Sequence, residues 1–92
     1  MDKLQYLTSN HIEFFNYLKD RIPVYHKSNI FFRDVQYGIM GFFKNKKVRI
    51  TYPQAEEVAG KFLEAMEKME LLRKLDKQSW VLEYPDFSKK AS

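Results

Sequence analysis

A long apolar stripe in the second half of the chain constrains the fold more than any other sequence feature. It begins just after Pro53, and small, aromatic and methionine side chains then recur every three or four residues: Ala55, Val58, Ala59, Phe62, Met66 and Met69. This spacing is one face of an amphipathic α-helix. Proline favours the first helical turn, because its missing N–H would have no partner there. We therefore predict a helix that starts at Pro53 and buries this stripe.

An earlier segment also has helical periodicity. Asn10 and Glu13 have the spacing of a capping box, in which a polar side chain and a carboxylate three residues later cap a helix start. The helix is expected to end near Arg21, shortly before Pro23, because helical geometry is disfavoured for a residue that precedes a proline. Its apolar face consists of Ile12, Phe15, Leu18 and Ile22.

A second helix is predicted to follow a cap at Ser28 or Asn29. Its apolar face is rich in phenylalanine and consists of Phe32, Val35, Ile39, Phe42 and Phe43. Gly38 and Gly41 lie within this segment, and each glycine costs about 1 kcal/mol relative to alanine inside a helix. We therefore expect a neighbouring element to approach the backbone closely at these two glycines.

Three shorter segments have the alternating pattern of β-strands. Val48, Ile50 and Tyr52 alternate with polar residues, which predicts a strand over 48–52 with one buried face. Residues 71–75 and 80–84 flank the polar sequence DKQS, which predicts a hairpin. An isolated hairpin is marginal in water, so 48–52 is expected to pair with it. The predicted fold class is α+β: three helices with a small three-stranded antiparallel sheet.

The length and composition favour one small domain. Ninety-two residues support a single domain, which we place at 1–85, with 86–92 as a frayed C-terminal tail. Aromatic residues make up 16% of the chain, enough for a rich core. The residues expected to be buried and packed together are Ile12, Phe15, Leu18, Val35, Ile39, Ala59, Phe62, Met66 and Trp80.

The same composition excludes several classes of protein. The chain has no cysteine, which excludes disulfides and thiolate metal sites. Its apolar stretches are far shorter than the roughly 18 residues of a membrane span, and the N-terminus has no apolar signal-peptide core. We therefore expect a cytoplasmic location.

The sequence contains no recognisable catalytic, metal or cofactor motif. His11 and His26 have no ligand partner at metal-binding spacing. No nucleophile elbow is present, and three glycines leave no phosphate-binding loop. We expect no enzymatic activity, no metal and no cofactor.

The order of predicted elements is helix, helix, strand, helix, hairpin, and it resembles that of the winged-helix superfamily, in which the strand more commonly lies between the first and second helices. With the strand after the second helix, the order resembles that of DEP domains, over about residues 29–84. The resemblance rests on FFRDVQYGIMGFF as the second helix, on a strand that leads into ITYPQAEEVAGKFLEAMEKMELL, and on SWVLEY as the final strand. The connection PVYHKS between the first two helices is too short for the hairpin arm of DEP domains. The resemblance implies a winged helix that serves as an interaction module.

The sequence leaves three kinds of partner open. The first hypothesis is a protein partner, including a homodimer through the apolar N-terminal segment, with the outward face of the third helix in contact: Glu56, Glu57, Lys61, Glu64 and Lys68. The second is nucleic acid, held by a basic loop and wing, and the third is an anionic membrane surface. Both anionic partners would contact Lys44, Lys46, Lys47, Arg49, Arg73, Lys74 and Lys77. The carboxylates on the third helix count against DNA, because they would face the phosphates.

Overall fold

The computed structural model describes residues 2–85, which form four helices and a three-stranded antiparallel sheet. In chain order the elements are α1 (Lys3–Ser9), α2 (His11–Lys19), β1 (Asn29–Phe31), α3 (Phe32–Asn45), α4 (Tyr52–Lys68), β2 (Leu72–Asp76) and β3 (Ser79–Leu82). The α+β class is confirmed. The predicted frayed tail, 86–92, lies outside the described residues.

Helix α4 begins where its sequence predicts. The Thr51 hydroxyl accepts a hydrogen bond from the Gln54 N–H (3.2 Å), and the Gln54 side-chain oxygen accepts one from the Thr51 N–H (2.9 Å). This reciprocal pair is a capping box, and Pro53 occupies the first turn beside it. The predicted apolar stripe is buried at Ala55, Ala59, Phe62 and Met66.

The N-terminal residues form a helix of their own, α1, which the sequence did not predict. Asn10 lies between α1 and α2, and its side chain donates to the Tyr6 carbonyl oxygen (2.8 Å) instead of capping α2. The expected capping box with Glu13 is therefore wrong. Helix α1 packs against α4 and buries Leu7 completely, so the apolar N-terminal segment contributes to the core of its own chain.

The third strand of the sheet is β1, and the prediction of a strand over 48–52 is wrong. The sheet order is β1-β3-β2, with Ile30 opposite Trp80 and Leu72 opposite Leu82. Residues 48–51 belong to the loop that ends α3, where the Val48 N–H donates to the Phe43 carbonyl oxygen (2.9 Å). The predicted cap at Ser28 or Asn29 is also wrong, because Asn29 is already in β1 and α3 starts at Phe32.

The predicted hairpin is confirmed, with a tighter turn than expected. Asp76 and Ser79 are paired, so only Lys77 and Gln78 form the turn. The Asp76 carboxylate accepts hydrogen bonds from the Gln78 N–H (2.8 Å) and the Ser79 hydroxyl (2.9 Å). These two bonds lower the pKa of Asp76, the Gln78 bond having the larger effect.

Eight of the nine side chains predicted to be buried lie in one hydrophobic core. The exception is Ile12, which is only half-buried because α2 directs Phe14 inward together with Phe15 and Leu18. The Phe14 ring makes edge-to-face contacts with Phe42 (5.4 Å between centroids) and Phe62 (5.3 Å). Phe14 therefore joins α2, α3 and α4 at one point.

Helices α2 and α3 approach each other closely at the two glycines, as the sequence predicts. A β-carbon on Gly38 would collide with the Leu18 side chain, and one on Gly41 would collide with the Tyr17 hydroxyl. Gly60, on α4, is exposed, and the nearest atom to a β-carbon there is on the Phe32 ring at 4.0 Å. Only the first two glycines are therefore required by close packing.

Two alanine substitutions test this difference. Gly38→Ala should lower the free energy of unfolding by about 1–3 kcal/mol, because the new methyl group overpacks a buried contact. Gly60→Ala is the matched control, and it should raise that free energy by about 0.5–1 kcal/mol, because alanine is the better helix former at an exposed site. Urea unfolding of both variants measures the difference, and equal effects of the two changes would contradict the packing described.

Truncation of Phe62 tests the aromatic core. Its side chain is fully buried and contacts Phe14 and Phe15. Phe62→Ala should cost about 3–5 kcal/mol of unfolding free energy, because it removes apolar contacts and leaves a cavity. Urea unfolding is again the measurement, and a cost below about 1 kcal/mol would show that this ring is not central to the core.

Candidate interaction surfaces

Metal-ligating side chains do not gather at one place in the part of the chain that the structure describes. Within 2–85 there is no cluster of three or more histidine, cysteine, aspartate or glutamate residues that could hold a metal ion. His11 Nδ1 lies 2.9 Å from the Thr8 carbonyl oxygen, and His26 lies apart from it in the α2–β1 connection. In the same range no helix is both long enough and apolar enough to cross a membrane. The surface features to consider are therefore charged faces and grooves.

The α4 face consists of the five outward residues predicted to contact protein, and all five are exposed: Glu56, Glu57, Lys61, Glu64 and Lys68. Glu57 and Lys61 form an ion pair across one turn (3.3 Å), as the i, i+4 spacing of opposite charges favours. Glu64 and Lys68 have the same spacing, but they do not form a comparable pair. Exposed pairs of this kind contribute little stability. The face therefore presents three carboxylates to solvent, and of these only Glu57 is in contact with a cation of the described residues.

The end of α3 shapes a groove with a basic rim. Lys47 has a positive φ of 60°, and its N–H donates to the Lys44 carbonyl oxygen (2.9 Å). Together with the Val48–Phe43 bond this is a Schellman-type helix end, which turns the loop back along the last turns of α3. The result, which we call the basic groove, is open, has a volume of about 420 Å³ and is lined by Met40, Gly41, Lys44, Lys47, Val48, Arg49 and Ile50.

Lys46 points away from the basic groove. Its ammonium nitrogen donates to Glu13 Oε2 on α2 (2.6 Å) and lies 4.9 Å from the centroid of the Phe42 ring. The bond to Glu13 raises the pKa of Lys46. In contrast, Lys44, Lys47 and Arg49 are exposed and form no ion pair within the described part of the chain. Three of the four predicted cations of this loop are therefore open to a partner.

The three predicted cations of the hairpin differ in the contacts that they make. Arg73 Nε donates to Glu83 Oε2 (3.0 Å), and Lys27 donates to the other oxygen of the same carboxylate (2.5 Å). The Lys74 ammonium lies 5.7 Å from the Trp80 ring centroid. Lys77 is exposed in the turn. Glu83 therefore neutralises part of the charge that Arg73 could offer to an anionic partner, whereas Lys77 has no ion pair within residues 2–85.

The hairpin turn and the basic groove lie at opposite ends of α3. The Phe32 N–H, at the start of this helix, donates to the Gln78 carbonyl oxygen in the turn (2.9 Å). Lys44 is twelve residues further along, which corresponds to about 18 Å of helix. The seven predicted cations therefore do not form one continuous basic patch.

Sequence reasoning missed the carboxylates that pair with these cations. Glu13 is separated from Lys46 by 33 positions, and Glu83 is separated from Lys27 by 56. The i, i+4 rule that predicts Glu57–Lys61 does not apply to contacts between distant elements. No signal in the sequence indicated these pairs.

No protein-family model matches the chain, and no match was found among curated proteins or solved structures.

The pairs of Glu83 predict a pH dependence of stability. The bonds from Lys27 and, second, from Arg73 lower the pKa of Glu83 in the folded chain. Because the pKa is lowered by folding, the ion pairs stabilise the fold at pH values above the pKa of an ordinary carboxyl group. This stabilisation is lost as the pH falls through the pKa of Glu83 in the folded chain. Glu83→Gln should therefore lower Tm at neutral pH but change it little in strong acid.

Thermal unfolding followed by circular dichroism at the two pH values measures this effect. Glu64→Gln is the matched control, because that carboxylate is exposed and forms no ion pair with any residue from 2 to 85, and it should change Tm little at either pH. If Glu83→Gln changes Tm by the same amount at both pH values, the charge of the carboxylate is not responsible for the stabilisation.

Proposed function

We propose that this chain is a winged-helix module without catalytic activity, and that its α4 face docks to a basic surface of a protein partner. The order α2, β1, α3, α4, β2, β3 supports the first part of the proposal, since winged helices follow the order helix, strand, helix, helix, hairpin. The sheet order β1-β3-β2 is consistent with it. Helix α1 is then an addition in front of the module.

The observation that carries the proposal is the charge of α4. In the proposed fold α4 corresponds to the helix that enters the major groove in DNA-binding winged helices. Its exposed residues include Glu56, Glu57 and Glu64. On DNA these carboxylates would lie near phosphates, closer than the Debye length of about 8–10 Å. At such distances salt does not fully screen the repulsion between the two negative charges. This argues against duplex DNA as the partner of α4.

A basic protein surface fits the same residues. Carboxylates accept short, charge-assisted hydrogen bonds from lysine and arginine side chains. Complementary charge also accelerates association and disfavours partners of the wrong sign. The Glu57–Lys61 pair does not prevent this, because both side chains are well exposed (69% and 59%) and such pairs exchange partners at little cost.

Nucleic acid is the second candidate, and it is favoured by the three unpaired cations Lys44, Lys47 and Arg49. If it binds there, log affinity should fall steeply with log salt, by about 0.9 per phosphate contacted. Lys44→Gln, Lys47→Gln and Arg49→Gln together should then flatten that slope by about 2.7. A protein partner held by the α4 face predicts no change in affinity from the same substitutions.

The combined variant Glu56→Gln, Glu57→Gln and Glu64→Gln tests the leading proposal. The unmodified chain should bind a synthetic lysine- and arginine-rich peptide, and the variant should bind it about tenfold more weakly, because three exposed charge contacts of about 0.5 kcal/mol each are lost. Fluorescence anisotropy at physiological salt measures both. The matched control removes three carboxylates elsewhere, by Asp20→Asn, Asp34→Asn and Glu70→Gln, and should retain the affinity.

The same variant is also titrated with mixed-sequence duplex DNA. We expect the unmodified chain to bind this DNA weakly at physiological salt. If the Glu→Gln changes strongly tighten DNA binding, the α4 face lies against the duplex and the protein-docking proposal is wrong. Tight, sequence-selective DNA binding by the unmodified chain would overturn it as well.

A further inference from the structure

The basic groove combines two kinds of surface that the α4 face lacks. Its floor is aliphatic, formed by half-buried Met40, Val48 and Ile50, and its rim carries Lys44, Lys47 and Arg49. The three floor side chains pack against the core on one side and face the groove on the other. A ligand in the groove therefore gains binding free energy in two ways, by burying apolar groups on the floor and by placing negative charge near the rim.

The three rim cations have no carboxylate partner among the described residues, in contrast to two other predicted contact residues. Lys46 in the same loop is held by Glu13, and Arg73 in the hairpin is held by Glu83. The rim cations converge on one concavity, so a single ligand can contact all three.

The chemistry of the lining distinguishes between anionic ligands. Single-stranded nucleic acid is held by stacking of bases on aromatic side chains, and the groove lining contains none. A duplex backbone presents phosphates and sugars, which gain nothing from an aliphatic floor. An extended peptide with acidic and apolar side chains satisfies both parts, and the flexible Met40 side chain adapts to apolar groups of different shape.

We infer that the basic groove is a second docking site, which binds an acidic, apolar segment of a partner protein. The apolar side chains of that segment lie on Met40, Val48 and Ile50, and its carboxylates contact the rim, where Arg49 can form a two-pronged bond. This site extends the proposed docking function to a surface separate from the α4 face. The two surfaces select segments of opposite charge.

The test uses the full chain and a fluorescein-labelled synthetic peptide in which glutamate and leucine alternate. The chain should bind this peptide, with an affinity that decreases as salt increases. A peptide in which glutamate and serine alternate has the same charge, and it should bind at least about tenfold more weakly because it buries no apolar side chain. This comparison changes only the ligand, so it does not depend on the folding of a variant.

Substitutions in the chain locate the site. Lys44→Gln, Lys47→Gln and Arg49→Gln together should weaken binding of the glutamate–leucine peptide about tenfold. The matched control removes the same charge elsewhere, by Arg33→Gln, Lys74→Gln and Lys77→Gln, and should retain the affinity. The change of Glu56, Glu57 and Glu64 to Gln should not weaken it either. That last result separates this inference from the proposal for the α4 face.

Three outcomes overturn the inference. The first is no binding of the glutamate–leucine peptide, and the second is equal binding of the two peptides, which would mean that the aliphatic floor is not used. The third is tighter binding of mixed-sequence duplex DNA, or of phosphatidylglycerol vesicles, that is lost in the Lys44, Lys47 and Arg49 variant. That result would assign the groove to phosphate groups. The first two outcomes leave the binding of a basic peptide by the α4 face untouched, whereas tight DNA binding in the groove would favour nucleic acid, the second candidate for the function.

Discussion

The close contact between α2 and α3 is the constraint on which the rest of the structure depends. Gly38 and Gly41 leave no side chain between the two helices, so Leu18 and Tyr17 lie directly against the backbone of α3. At this separation the Phe14 ring reaches both Phe42 on α3 and Phe62 on α4. Edge-to-face contacts of this kind add to the free energy gained from apolar burial. A β-carbon at either glycine would collide with the Leu18 or Tyr17 side chain, so this close approach requires both glycines.

Helix α3 in turn holds the hairpin turn and the basic groove apart, because one lies at each of its ends. Its first turn is bonded to the hairpin through Phe32 and Gln78, and its last turn forms one wall of the basic groove. Helix α4 then starts from Thr51, at the end of the loop that lines the groove. The acidic α4 face and the basic groove are therefore adjacent along the chain but are built on different elements.

Local sequence signals predicted the parts of the fold that local interactions determine. The start of α4, the hairpin and the close approach at the glycines follow from capping, alternation and the cost of glycine in a helix. Strand β1 has only three residues, Asn29–Phe31, too few for a recognisable period, and it forms because β3 lies beside it. Val48 and Ile50 alternate with polar residues for another reason: they are half-buried side chains of a helix-ending loop.

The candidate surfaces show the same division between local and distant interactions. Exposure of the α4 residues follows from the helical period and was predicted correctly, whereas the state of each cation depends on carboxylates far away in sequence. Lys27, Lys46 and Arg73 are paired with Glu83 or Glu13, so they add to the net charge of +4 but not to a free basic surface. Net charge describes non-specific attraction over the whole protein. The sign of a surface is decided by which charges the fold leaves unpaired, and among residues 2–85 these include Glu56 and Glu64 on α4 and the three cations around the aliphatic groove.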